Sequence, residues 1–140
     1  MLKTLISISA LATLSAPAHA AHLLKAYQSG FTNPHRTATC EVFSDRVIIT
    51  RMSNGRLLSR RIGYYRWPLM TPRFIGEAKM GTQVGNCNIT DIPTMVYSIV
   101  DANSSYLLRE DCPPAPGIRN LSRSTGELIN LLDSLCGRLQ

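Results

Sequence analysis

The sequence predicts a small α+β domain, in which an antiparallel sheet of about five strands is covered by a short middle helix and a C-terminal amphipathic helix. Three observations support this class: runs rich in β-branched residues separated by turn residues, a leucine pattern of helical period near the C-terminus, and four cysteines. The chain has 140 residues, of which 44% are hydrophobic and 17% charged. This size and composition indicate one globular domain rather than a disordered chain or a multi-span membrane protein.

Residues 1–20 have the pattern of a signal peptide. Lys3 supplies a positive charge, a short apolar stretch follows, and Ala18-His19-Ala20 matches the small-residue site that signal peptidase cleaves. The apolar stretch is shorter than the about 20 residues that a membrane-spanning helix needs. No later segment is a candidate membrane span. We therefore expect an exported protein, periplasmic or secreted.

All four cysteines follow this segment. An even number of cysteines in an exported chain indicates two disulfides. Zinc would require close ligand pairs such as C-x-x-C, whereas consecutive cysteines here are 47, 25 and 24 positions apart. Four cysteines allow three pairings that the sequence does not distinguish. Our preferred pairing joins Cys40 to Cys136 and Cys87 to Cys112.

The folded domain is assigned to residues 38–140, after an irregular lead-in at 21–37 that contains one helical turn near residues 23–27. Residues 38–43, 46–52 and 56–65 predict a three-stranded antiparallel meander. Asn54-Gly55 is its strongest hairpin signal, because both residues tolerate positive φ. The residue pattern does not settle which face of these strands is buried.

Helix signals bracket residues 71–80. Thr71 is placed to cap the helix, Pro72 suits its first position, and Gly81 suits the left-handed residue that follows a helix. Residues 94–100 and 106–110 then predict a second hairpin. The proline-rich stretch at 112–117 cannot continue a sheet.

The last element is predicted as an amphipathic helix ending near Gly137. Ser124 and Glu127 match the S-x-x-E capping box. The leucines at helical spacing are Leu128, Leu131, Leu132 and Leu135. Because the sheet needs a cover, we expect this stripe to pack on its own domain rather than on a partner.

Motifs for catalysis are missing from the sequence. Beyond residue 20 there are two histidines, His22 and His35, and there is neither a G-x-S-x-G turn nor a glycine-rich phosphate loop. His22 lies near the amino terminus that signal-peptide cleavage would leave, where a copper site is one interpretation. A solvated histidine on a loose terminus is the simpler interpretation. We therefore predict no catalytic residue, no metal site and no cofactor. The remaining enzyme hypothesis uses a pair of convergent carboxylates such as Asp91 and Glu110. Their spacing in the sequence gives this pair no priority over other acidic pairs.

Charge is distributed unevenly along the chain. Residues 46–79 contain eight basic side chains and one acidic side chain, a net charge of +7, whereas residues 91–111 carry four acids against one base, a net charge of −3. Arginine forks bind carboxylates and phosphates in a bidentate manner. The sequence therefore predicts a non-catalytic binding or inhibitor-like module. Its candidate binding residues are Arg51, Arg56, Arg60, Arg61, Arg66 and Trp67.

The alternative for these residues is structural. The arginines would then be a solvated strand face that discourages edge pairing, and Trp67 would fill the core. If the surface does bind, the expected partner is an anionic polymer of the cell envelope, a lipid headgroup or an acidic protein surface. Nucleic acid is not favoured, because no RNP, zinc-finger or helix-turn-helix pattern is present. The competing class of function is a small envelope enzyme that uses the convergent carboxylates.

Three N-x-S/T sequons fall on predicted loops, at Asn88, Asn103 and Asn120. They would be glycosylation sites only in a eukaryotic secretory pathway.

Overall fold

The computed structural model describes residues 21–87 and 92–139 of the chain. In these ranges eight strands form one antiparallel sheet, with two helices against it. The strands are β1 (His22–Gln28), β2 (Arg36–Val42), β3 (Arg46–Ser53), β4 (Arg56–Tyr64), β5 (Gln83–Asn86), β6 (Thr94–Asp101), β7 (Ser104–Asp111) and β8 (Gly117–Asn120). The helices are α1 (Thr71–Lys79) and α2 (Ser124–Cys136). Across the sheet the strand order is β4-β3-β2-β1-β6-β7-β8-β5. The α+β class is confirmed, but the prediction of about five strands was wrong, and the predicted signal peptide lies outside the described residues.

The predicted meander and the predicted second hairpin are both present. Strands β2, β3 and β4 are neighbours in the sheet, and β6 pairs with β7. At the turn between β3 and β4, Asn54 and Gly55 have φ of 50° and 78°, the positive values that made this dipeptide a hairpin signal.

Strands β1, β5 and β8 were not predicted. The segment expected to be irregular, with one helical turn, instead forms β1 between β2 and β6 in the middle of the sheet. Its alternation is hidden in the sequence because the buried side chain two residues after Leu23 is Lys25, a charged residue. Strands β5 and β8 have four residues each and pair with each other, and this is too short for a pattern of period two to be recognised.

The hydrophobic core lies on one face of the sheet, which we call the helix side. Register places Leu23 beside Val42, and Cys40 beside Ile49, on this face. Helix α2 packs against β1, β2 and β3 there. Its buried leucines, Leu128 and Leu132, confirm that the leucine stripe packs on its own domain. Full burial of each such side chain contributes about 1.5–3 kcal/mol. We call the opposite face the open side.

Both disulfides have the predicted pairing. Cys40–Cys136 joins β2 to the last residue of α2, and Cys87–Cys112 joins the chain just after β5 to the chain just after β7. Each pair of Cα atoms is 5.9 Å apart. The first bridge therefore fastens the covering helix to the sheet, and the second closes the far end of the sheet.

The helix ends differ from the predicted caps. Met70, not Thr71, is the N-cap residue of α1, and no side chain caps this end. Ser124 is the first helical residue of α2, so no capping box forms, and its hydroxyl donates a hydrogen bond to the Glu77 carboxylate of α1. The expected cap residues are thus used to join the two helices or to fill the core.

Gly81 is required by a close approach rather than by a left-handed conformation. A Cβ at this position would overlap the side chain of Asn120. Asn120 is itself buried, and its Nδ2 donates to the carbonyl oxygens of Ala78 at 2.9 Å and Leu107 at 3.1 Å. The Asn120 sequon was therefore wrongly placed on a loop, whereas Asn103 lies on the exposed β6–β7 turn and Asn88 falls outside the described residues.

Candidate binding surface

Strand β4 is exposed along its whole length. All nine of its residues are exposed, and it lies at one edge of the sheet with β3 as its one neighbouring strand in the described ranges. Four apolar side chains are among them: Leu57 is 61% exposed, Leu58 63%, Ile62 50% and Tyr64 82%. We define the β4 surface as Arg56, Leu57, Leu58, Arg60, Arg61, Ile62 and Tyr64.

The register with β3 distributes this surface over both sides of the sheet. Arg61 pairs with Ile49 on the helix side, whereas Ile62 pairs with Ile48 on the open side. The pairing shifts between Arg51 and Met52, so that Leu58 is one extra residue in β4, a β-bulge. Beyond this bulge, residues 59–64 form a regular edge. The face that the sequence pattern left open is therefore settled by the structure.

Four arginines at or next to this edge carry unpaired positive charge. Arg56, Arg60, Arg61 and Arg66 form no ion pair or side-chain hydrogen bond with any residue that the structure describes.

Other basic residues of the +7 segment have partners. Arg73 pairs with Glu77 at 2.9 Å, and Lys79 pairs with Asp101. Arg51, a predicted binding residue, is half-buried and donates from Nη2 to the carbonyl oxygen of Arg138 at 3.1 Å. Arg46 lies over the Phe43 ring at 5.1 Å. The guanidinium groups of this segment that form no such contact with any described residue are thus those of β4 and of the residue two positions after it.

Trp67 does not belong to the exposed surface. It is half-buried and packs against the core, as the structural alternative expected. Its Nε1 and the hydroxyl of Tyr65 are buried close to each other without forming a hydrogen bond of regular geometry. Burial raises the pKa of Tyr65 to about 12, and the neighbouring indole offsets this only in part.

Two cavities lie along the helix side of β4. One, of about 600 Å³, is lined by residues that include Ile49, Arg61, Tyr65 and Leu135. A Cβ on Gly63, which also lines it, would meet no atom within 4 Å. The other, of about 410 Å³, includes Leu58 and Leu139 in its wall. Side chains of a molecule docked at β4 therefore have room to enter on this side.

Two described carboxyl groups, Glu77 and Asp133, differ from the catalytic acid that the enzyme hypothesis requires. A catalytic acid at neutral pH needs a raised pKa. The pKa values of the Glu77 and Asp133 carboxyl groups are instead both lowered. For Glu77 the cause is first the Ser124 hydroxyl and then Arg73. Asp91, half of the carboxylate pair considered from the sequence, lies outside the described residues.

Asp133, whose side chain is partly exposed, belongs to a polar network with the buried Lys25 and Tyr97 that the sequence did not reveal. Lys25 Nζ donates to Asp133 Oδ1 at 2.9 Å and to the carbonyl oxygen of Gly137 at 2.8 Å, and the Tyr97 hydroxyl donates to the same carboxylate at 2.8 Å. Burial would raise the pKa of Asp133, but these hydrogen bonds and the charge of Lys25 outweigh it and lower the pKa. Burial and the bond to Asp133 raise the pKa of Tyr97 to about 12. The network borders a cavity of about 540 Å³ and ties α2 to β1 and β6.

Within residues 21–87 and 92–139, one group of three side chains has the spacing of metal ligands, namely Cys87, Glu110 and Cys112. Both of its sulfur atoms are bonded to each other in the disulfide, so neither is a thiolate ligand. His22 is the first residue of β1, where its ring stacks on Phe43 at 4.5 Å and burial lowers its pKa.

No protein-family model matches this chain, and no curated protein or solved structure matches it either. Among the described helices, neither is long and apolar enough to cross a membrane. The molecule is a small α+β domain with two disulfides, which fit an oxidising extracellular environment.

Proposed function

We propose that this protein is an exported, non-catalytic binding module that docks an acidic partner protein through the β4 surface. One observation carries the proposal: a fully exposed edge strand combines apolar side chains with arginines that have no partner among the described residues. Exposed arginine and tyrosine are the residue types that dominate binding energy in protein interfaces. The same residues in a monomer of no binding function would leave apolar surface in water without benefit.

The composition of the surface favours a protein over the other anionic partners. A polyanionic chain would engage the guanidinium groups alone and leave Leu57, Leu58 and Ile62 without apolar contacts. A membrane presents a flat surface, whereas Arg60 and Arg61 project from opposite sides of the sheet edge. A protein with carboxylates beside apolar residues matches both features.

The proposal is tested by photo-crosslinking from defined positions. A photoreactive phenylalanine analogue replaces Tyr64 in the mature protein, and in a second variant it replaces Leu121, which is exposed in the loop after β8. Both proteins are irradiated in an extract of the native cell envelope. We expect a protein adduct from position 64 and none from position 121. Equal adducts from both positions, or adducts only with lipid or polysaccharide, would rule the proposal out.

Charge reversal identifies which residues recognise the partner. Arg60→Glu/Arg61→Glu is compared with Arg119→Glu/Arg123→Glu, which makes the same change in net charge at exposed positions of β8 and the start of α2. We expect the first variant to lose the adduct, with at least about a tenfold loss of affinity, or about 1.4 kcal/mol. The second should keep it. Both should unfold within about 0.5 kcal/mol of the wild type, as is usual for surface substitutions.

A further inference from the structure

The backbone of β4 presents hydrogen-bonding groups at its outer edge. Tyr65 N–H donates to the carbonyl oxygen of Asp45 at 3.2 Å, a pair that continues the register of β3 and β4. Antiparallel strands alternate between residues that bond to the neighbouring strand and residues whose N–H and C=O point away from it. Arg61 and Gly63 therefore bond to β3. The N–H and C=O groups of Arg60, Ile62 and Tyr64 point outward.

We infer that the partner contributes an extended acidic segment that adds to this edge as a ninth strand, antiparallel to β4. The inference rests on the proposed function and specifies its mode of binding. Strand addition satisfies the outward groups of β4 with main-chain hydrogen bonds, while side chains on alternate positions select the sequence. The regular edge at residues 59–64 is long enough for a five-residue segment.

Charge selects an acidic segment over a second copy of this chain. Residues 46–64 contain five arginines and no aspartate or glutamate. Pairing of two β4 strands would bring two sets of unpaired arginines together with no carboxylate from β3 or β4 between them, and neighbouring like charges destabilise cross-strand pairing. An acidic strand instead supplies the missing partners.

The register predicts the order of side chains in the added strand. Carboxylates are expected opposite Arg60 and Arg61, one on each side of the sheet. Apolar residues are expected opposite Ile62, Gly63 and Tyr64. The residue opposite Gly63 points into the cavity of about 600 Å³, where Leu135 and Ile49 provide apolar contacts. From its amino end, an antiparallel segment therefore has three apolar residues followed by two acidic residues.

The probe is the labelled peptide Thr-Val-Leu-Val-Glu-Glu-Thr, whose Leu is designed to lie opposite Gly63. We expect saturable binding by fluorescence anisotropy, lost when both Glu are replaced by Lys. N-methylation of the second Val and the second Glu removes amide donors that face β4, and should weaken binding at least about tenfold. N-methylation of the Leu and the first Glu modifies amides that face away. This matched control should bind within about threefold of the parent peptide.

Amide hydrogen exchange tests strand addition to β4 independently of the peptide variants. In the free protein we expect the amides of Arg61 and Gly63 to be protected and those of Arg60, Ile62 and Tyr64 to exchange rapidly. The peptide should protect the latter three.

Each failure has a distinct meaning. If both N-methylated peptides bind like the parent and the Lys peptide does not, strand addition is wrong while recognition of acidic partners stands. Absence of peptide binding, or a concentration-dependent dimer formed through β4 in sedimentation experiments, overturns the inference. Absence of a protein adduct from the photoreactive residue at position 64 would instead overturn the proposed function.

Discussion

Removal of the Cys40–Cys136 bridge should destabilise the protein more than removal of the Cys87–Cys112 bridge. The first spans 96 residues of sequence and the second spans 25. In the chain-entropy model, these separations correspond to stabilisation of about 4.7 and about 3.5 kcal/mol at 25 °C. Because small domains have stabilities of about 5–15 kcal/mol, either loss removes a large share of the total.

The comparison uses Cys40→Ala/Cys136→Ala and Cys87→Ala/Cys112→Ala in the mature chain. Urea unfolding followed by circular dichroism should give the lower midpoint for the first variant, with similar slopes for the two proteins. Loss of packing should also destabilise the first variant more, because Cys40 and Cys136 are both buried in the core whereas Cys87 is half-buried. A larger loss from the shorter bridge would refute the reasoning and indicate that native contacts, rather than chain entropy, decide the effect. The wild type in reductant provides the reference without either bridge.

Two further predictions concern stability. Gly81→Ala should destabilise the protein by about 1–3 kcal/mol, because the new Cβ would strike the buried Asn120 side chain. Gly76→Ala in α1 should instead stabilise it by about 0.5–1 kcal/mol, because no atom lies within 4 Å of the new Cβ. Equal shifts of the urea unfolding midpoints of the two variants would contradict this contrast. Since the folded state lowers the pKa of Asp133, its contribution to stability is present above the unfolded value near 3.8 and is lost as pH falls through the folded value. Asp133→Asn should therefore reduce the fall in unfolding free energy on acidification, and an unchanged acid dependence would show that Asp133 is not responsible.

Local patterns were sufficient for much of the fold because several elements report their own structure. Asn54-Gly55 marks a hairpin through backbone preference alone, and the leucines of α2 mark a helix through their spacing. Strand β1 could not be recognised in this way. Lys25 occupies a core position in it, and the groups that make this burial possible, Asp133 and the carbonyl of Gly137, lie more than one hundred residues away.

The candidate site was predictable in its charge and not in its apolar part. Arg56, Arg60 and Arg61 stand out by composition alone, but Leu57 and Ile62 look like the buried residues of any strand. Only the strand order, with β4 at the edge, shows that these side chains are exposed. Strand order depends on contacts between distant segments, so no local pattern contains it.

The two edges of the sheet differ in a way that favours a binding role for β4. Strand β5, at the other edge, has four residues, includes Gly85 with a φ of 105°, and is followed directly by the bridged Cys87. It is a short edge of the kind that limits unwanted pairing. Strand β4 is more than twice as long, and its bulge lies near the turn, so residues 59–64 stay regular. Its remaining protection is positive charge, which opposes pairing with a second copy or a basic strand but attracts an acidic one. The same arginines therefore limit self-association and select the partner.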